Sequence, residues 1–151
     1  MSVRRLLALA VTTTMVTFLS LLAPASLSAQ TPGITGVAAV MFGFNEPARA
    51  GDPDAIGLAG ISLNEPRGRL CWTISVSGVD GITAVTLHAG ADGHVGDALV
   101  SLSIPRADGT STGCVHADPG LIAAITANPS GFYVNVTSTA FPEGAIRGQL
   151  G

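Results

Sequence analysis

The chain has 151 residues, enough for one domain of ordinary size. Only 11% of them are charged, the formal net charge is -3, lysine is absent, and the arginines beyond Arg5 (Arg49, Arg67, Arg69, Arg106, Arg147) are scattered. A nucleic-acid binder needs a basic stripe to neutralise phosphates, so that class of partner is excluded.

The first segment reads as a leader. Arg4 and Arg5 precede a mostly apolar run, Leu6 to Leu22, and Leu27-Ser28-Ala29 ends in the small residues that a signal peptidase accepts. The expectation is a signal peptide at 1–29, a tail at 30–36 and a single domain at 37–151. Thr12, Thr13, Thr14 and Thr17 dilute the apolar run, so no membrane span is expected after cleavage. Removing Arg4 and Arg5 takes the formal net charge from -3 to -5. Export would place the protein outside the cytoplasm, secreted or in the cell envelope. In an oxidising compartment the two cysteines, Cys71 and Cys114, have one intrachain pairing. A bridge closing a loop of about forty residues stabilises by roughly 4 kcal/mol in chain-entropy treatments.

In chain order, Gly36 to Phe44 reads as a short apolar strand ending at Asn45-Glu46-Pro47. A loop with Gly51, Asp52 and Pro53 follows. Ala55 to Leu63 resumes alternation, with Gly57 and Gly60 marking a bulge or a close backbone approach. Arg69 to Ser77 is the clearest strand: Leu70, Trp72, Ile74 and Val76 alternate with Cys71, Thr73, Ser75 and Ser77, which makes Trp72 a core anchor. Thr83 to Ala89 is a strand, and a glycine-studded loop follows from Gly90 to Gly96. Ala98 to Ser103 and Thr112 to His116 are further strands. Asp118 is a good N-cap and Pro119 suits the first helical position, so a short helix is expected near 118–127, ended by Asn128-Pro129.

The last stretch, Phe132 to Leu150, runs from an alternating strand through Phe141-Pro142-Glu143-Gly144 into a closing strand. The whole pattern is all-β: an antiparallel sandwich or Greek-key barrel with one short helix. Glu46, Glu65 and Glu143 each adjoin a proline and read as solvated turn acids. Glu143 and Arg147 bracket the final turn, where the guanidinium would meet Glu143 or turn carbonyls. Asn135-Val136-Thr137 matches a glycosylation acceptor but sits inside an expected strand, so it reads as coincidental. No hydrolase elbow, P-loop, dinucleotide fingerprint or zinc-protease motif is present.

Several pieces together resemble the CHRD domain, first described in chordin and common in exported bacterial proteins. They are Asn45-Glu46-Pro47, Gly57 to Leu63, Leu70 to Gly78, Leu87-His88-Ala89-Gly90, Tyr133-Val134-Asn135-Val136, and Phe141-Pro142 through Ile146-Arg147-Gly148-Gln149-Leu150. The resemblance implies a β-sandwich similar in layout to the copper/zinc superoxide dismutase barrel. It also implies family-motif positions at Glu46, Thr86, His88, Asn135, Thr137 and Arg147. Family members usually carry a His-x-His on the fourth strand and a third histidine on the penultimate strand. Here Thr86 and Thr137 replace two of the three, and threonine is a poor ligand for zinc or copper. A rearranged set of His88, His94 and Asp92 or Asp97 is the weaker remaining metal arrangement, and no cofactor is expected. The expected function is an exported binding or structural module with no catalytic site, its partner an extracellular protein or cell-envelope component. The alternative is a metal-binding protein or metal-dependent oxidoreductase.

Overall fold

Alternating side chains make paired strands the main element of the fold. The computed structural model describes residues 33–151. The expected signal peptide at 1–29, and residues 30–32 of the expected tail, lie outside the described residues. The strands are β1 (Ile34–Phe42), β2 (Ile56–Asn64), β3 (Arg69–Ser77), β4 (Ile82–Ala89), β5 (Ala98–Leu102), β6 (Thr110–His116), β7 (Phe132–Ser138) and β8 (Ile146–Gln149). The one α-helix among the described residues, α1 (Pro119–Ala127), lies between β6 and β7. β1 begins inside the segment expected to be a tail, because Ile34, Thr35 and Gly36 pair with Asn64, Leu63 and Ser62 of β2.

The eight strands form one antiparallel sheet in the order β5-β4-β7-β8-β1-β2-β3-β6. Strands β1, β2 and β3 are a meander, whereas the β3–β4 and β6–β7 connections cross between distant strands, the second through α1, and a short loop joins the two edge strands β5 and β6. The sheet curls so that its two edges meet. Ser111 of β6 donates its hydroxyl to the Ser103 carbonyl just beyond β5 at 2.6 Å, and the two hydroxyls lie 3.0 Å apart. Around the nearly closed sheet, β3 lies beside β6, then β5, then β4, which is a Greek-key arrangement. The fold is thus all-antiparallel and barrel-like with one helix, as the patterning implied.

The inner face holds Ile61, Leu63, Leu70, Trp72 and Ile74 from the meander and Val85, Leu87, Val134, Val136 and Ile146 from the other strands. The indole N–H of Trp72 reaches the Ser103 and Ser111 hydroxyls at 3.2 and 3.3 Å, so the core anchor also ties the seam. Cys71 and Cys114 are directly opposite in the β3–β6 register and form a disulfide. Asp118 caps α1 by accepting the Gly120 and Leu121 N–H groups, and Ile122 and Ile125 are fully buried. Of the bulge and the close backbone approach expected as alternatives at Gly57 and Gly60, neither glycine forms the bulge, since pairing is unbroken on both sides of β2. Gly57 instead allows close approach, since a Cβ there would stand 2.6 Å from the Met41 methyl. The register shifts fall in β4, between Ile82 and Ala84 and between Leu87 and His88. Among the described residues, no helix is long and apolar enough to cross a membrane.

Candidate binding cavity on the outer face

Strand periodicity gives β4, β7 and β8 a second face. With Val85 and Leu87, Val134 and Val136, and Ile146 pointing into the core, the intervening residues point outward. These are Thr86 and His88 on β4, Tyr133, Asn135 and Thr137 on β7, and Arg147 and Gln149 on β8. The register sets His88 opposite Tyr133 and Asn135 opposite both Thr86 and Arg147, while Tyr133 faces Gln149.

An outward-facing arginine is normally wet, yet Arg147 is only 1% exposed. It is buried because the glycine-rich connection between β4 and β5, residues 90–97, folds back over this face. Nη1 donates to the His94 carbonyl at 2.8 Å and Nη2 to the Ala91 carbonyl at 2.9 Å. Its guanidinium carbon stands 3.4 Å from the centre of the Tyr133 ring, and His88 stacks on that ring at 4.9 Å. The Tyr133 hydroxyl accepts the Gly96 N–H, His88 Nδ1 lies 3.1 Å from the Gly96 carbonyl, and the Gln149 amide donates to the Gly90 carbonyl. Side chains from three strands therefore clamp one loop. Arg147 does bond carbonyls, but those of the 90–97 loop rather than of the final turn.

Glu46 follows β1 and arrives beside this clamp. It is 5% exposed, which corrects the expectation of a solvated turn acid; proline neighbours set its backbone, whereas its burial comes from the 139–145 turn packing over it. Gly144 touches the carboxylate so closely that any Cβ there would overlap it, and its φ of +154° is also uncommon for side-chain-bearing residues. The Asn135 amide donates to Glu46 Oε2 over a long 3.5 Å. Glu46 Oε1, Asn135 Oδ1 and Arg147 Nε are buried and have no hydrogen-bond partner. Burial raises the Glu46 pKa from 4.5 to about 7, against the opposing pull of the Arg147 charge.

These groups line a cavity of about 320 Å³. Glu46, Asn135, Arg147, His88 and Tyr133 form its polar and aromatic floor, and Pro47, Val95, Phe141 and Pro142 form much of its apolar wall. That size and mixture suit a small ligand oriented by a few polar groups. Of the family-motif positions, Glu46, His88, Asn135 and Arg147 converge here. Thr86 and Thr137 share the outer face but do not line the cavity, and the Thr137 hydroxyl is paired with that of Thr83 at 2.9 Å. Sequence reasoning missed the closure of the cavity by Val95, Phe141 and Gly144, because loop packing has no periodic signal.

The family model of the CHRD domain matches residues 34–150, nearly the whole described chain. The chain belongs to the CHRD domain family. Among curated proteins and among solved structures, no match to the chain was found. In this CHRD domain the residues do not fit a copper or zinc centre. His94 Nδ1 turns to its own loop at the Asp92 carbonyl, 3.0 Å away, while His88 is held against Tyr133 and Gly96. Among the described residues, no group of three or more His, Cys, Asp or Glu side chains is placed to hold a metal ion.

Proposed function

We propose that this CHRD domain is an exported, non-enzymatic binding module of the bacterial type, working in the extracellular space or cell envelope and recognising its partner through the outer-face cavity. The observation carrying this reading is that three residues lining a ligand-sized space, Glu46, Asn135 and Arg147, each hold a buried polar atom without a partner: the acceptors Glu46 Oε1 and Asn135 Oδ1 and the donor Arg147 Nε. Buried polar atoms are nearly always satisfied, and a site that leaves such atoms unpaired is organised for a polar group from outside. The leader pattern and the Cys71–Cys114 disulfide support export, since such bridges persist in oxidising compartments.

Full-length protein expressed in a bacterial host is expected outside the cytoplasm with Gln30 as its first residue. Terminal sequencing of intact, cytoplasmic protein beginning at Met1 would refute export. For the cavity, a fragment mixture added to ¹⁵N-labelled mature protein should shift amides of Val95, Asn135 and Gly144 together. Shifts confined to other surfaces would remove the cavity from the function.

A further inference from the structure

Resting on that reading of the cavity, we infer that its ligand is a small primary ammonium compound carried on a short apolar stem. Of the three buried atoms without a partner, Glu46 Oε1 and Asn135 Oδ1 accept and Arg147 Nε donates, and the two acceptors decide the chemistry. An ammonium group offers three donors and no acceptor, so it can satisfy Glu46 Oε1 and Asn135 Oδ1 together without burying an acceptor of its own. A hydroxyl supplies one donor, and a carboxylate supplies none. Charge points the same way. Glu46 is a buried carboxylate, and its neighbouring cation, Arg147, spends Nη1 and Nη2 on the His94 and Ala91 carbonyls and its face on the Tyr133 ring, and makes no hydrogen bond to Glu46. No lysine exists in the chain to serve it. A buried acid gains most from a cation that arrives with hydrogen bonds. The stem then lies along Pro47, Val95, Phe141 and Pro142.

Binding should track the ionisation of Glu46, whose pKa of about 7 follows from its burial. Sharing the cavity with it are Arg147 on β8, His88 on β4, Tyr133 on β7 and Glu143 in the 139–145 turn. The Glu46→Gln variant separates its share of the pH dependence from theirs.

The test is an NMR titration of the mature, disulfide-bonded protein with n-butylammonium, 1-butanol and butyrate at pH 8.5 and pH 5.5, at constant ionic strength. Butylammonium should saturate the Asn135 and Gly144 shifts with a Kd on the order of a millimolar, the range open to probes of so few atoms. It should bind at least tenfold tighter than 1-butanol, lose roughly tenfold at pH 5.5, where Glu46 is protonated, and lose saturation in Glu46→Gln. Val95→Trp, which narrows the cavity from an exposed wall position, should weaken every probe without touching the acceptors. If 1-butanol or butyrate binds as tightly, or butylammonium binds undiminished in folded Glu46→Gln, the ammonium inference falls while the cavity remains a binding site. If none of the probes shifts the cavity amides, the inference and the cavity reading fall together.

Discussion

Glu46 makes the folded protein sensitive to pH in an unusual direction for an acid. Its pKa is about 7 in the folded chain against an ordinary value of 4.5, so between those values the folded protein holds a proton that the unfolded chain has released. Stability is therefore highest below about pH 4.5, falls through the window to about pH 7, and is flat in this respect above it. One pKa unit is worth about 1.36 kcal/mol, and allowing for screening through the cavity mouth the loss is on the order of 2 kcal/mol. Urea unfolding at pH 5 and pH 8 should show this decline, and Glu46→Gln should abolish it while raising stability at pH 8. A variant that declines as steeply as the parent would locate the effect elsewhere. Arg147 is different because its charge is permanent and most of its donors are used. Arg147→Ala strips partners from the Ala91 and His94 carbonyls and should cost about 3 kcal/mol. Arg147→Lys should recover only part of that, since one ammonium cannot span both carbonyls as a planar fork does. Hydrogen exchange at Gly96, whose N–H is held by the Tyr133 hydroxyl, should quicken in both variants.

At the scale of elements, the legible parts were those with local rules. The Leu70-Trp72-Ile74-Val76 alternation specified β3, and Asp118 with Pro119 specified the start of α1. The buried environment of Glu46 was hidden because it is built from residues 139–145, and only the register of β1, β8 and β7 brings the two segments together. Arg147 was half legible: its liking for carbonyls followed from its fork of donors, but the distant loop supplying them did not. The Cys71–Cys114 bridge was readable from compartment and count, and the structure adds its setting across directly paired positions of β3 and β6. Those two strands enclose β4, β5 and their connections in sequence, so the bridge restrains chain that the unfolded state would otherwise explore. Replacing both cysteines with alanine should cost about 4 kcal/mol at most, because the β3–β6 ladder remains. The urea midpoint of the parent should fall on adding reductant, and that of the double variant should not move.

For the whole molecule, the unsolved problem of an open sheet is its pair of edges. Exposed edge strands carry unpaired backbone groups and invite association. Here β5 and β6 are brought together by a hydroxyl seam rather than by a ladder: Ser111 donates to the Ser103 carbonyl, and the Trp72 indole N–H reaches both hydroxyls from the core. The seam couples the meander half, β1-β2-β3-β6, to the half that carries the cavity, β5-β4-β7-β8. Ser111 is the pivot, being 6% exposed and the group that bonds the carbonyl. Ser111→Ala should cost roughly 1–3 kcal/mol, the penalty for taking the donor from the Ser103 carbonyl and leaving the indole N–H with the Ser103 hydroxyl alone. Ser103→Ala should cost less, because its backbone carbonyl and the Ser111 hydroxyl still meet. Hydrogen exchange should then quicken along β5 and β6 in Ser111→Ala while the β1–β2 ladder keeps its protection. Equal acceleration in both ladders would mean that the sheet opens as one unit and that the seam has no separate role.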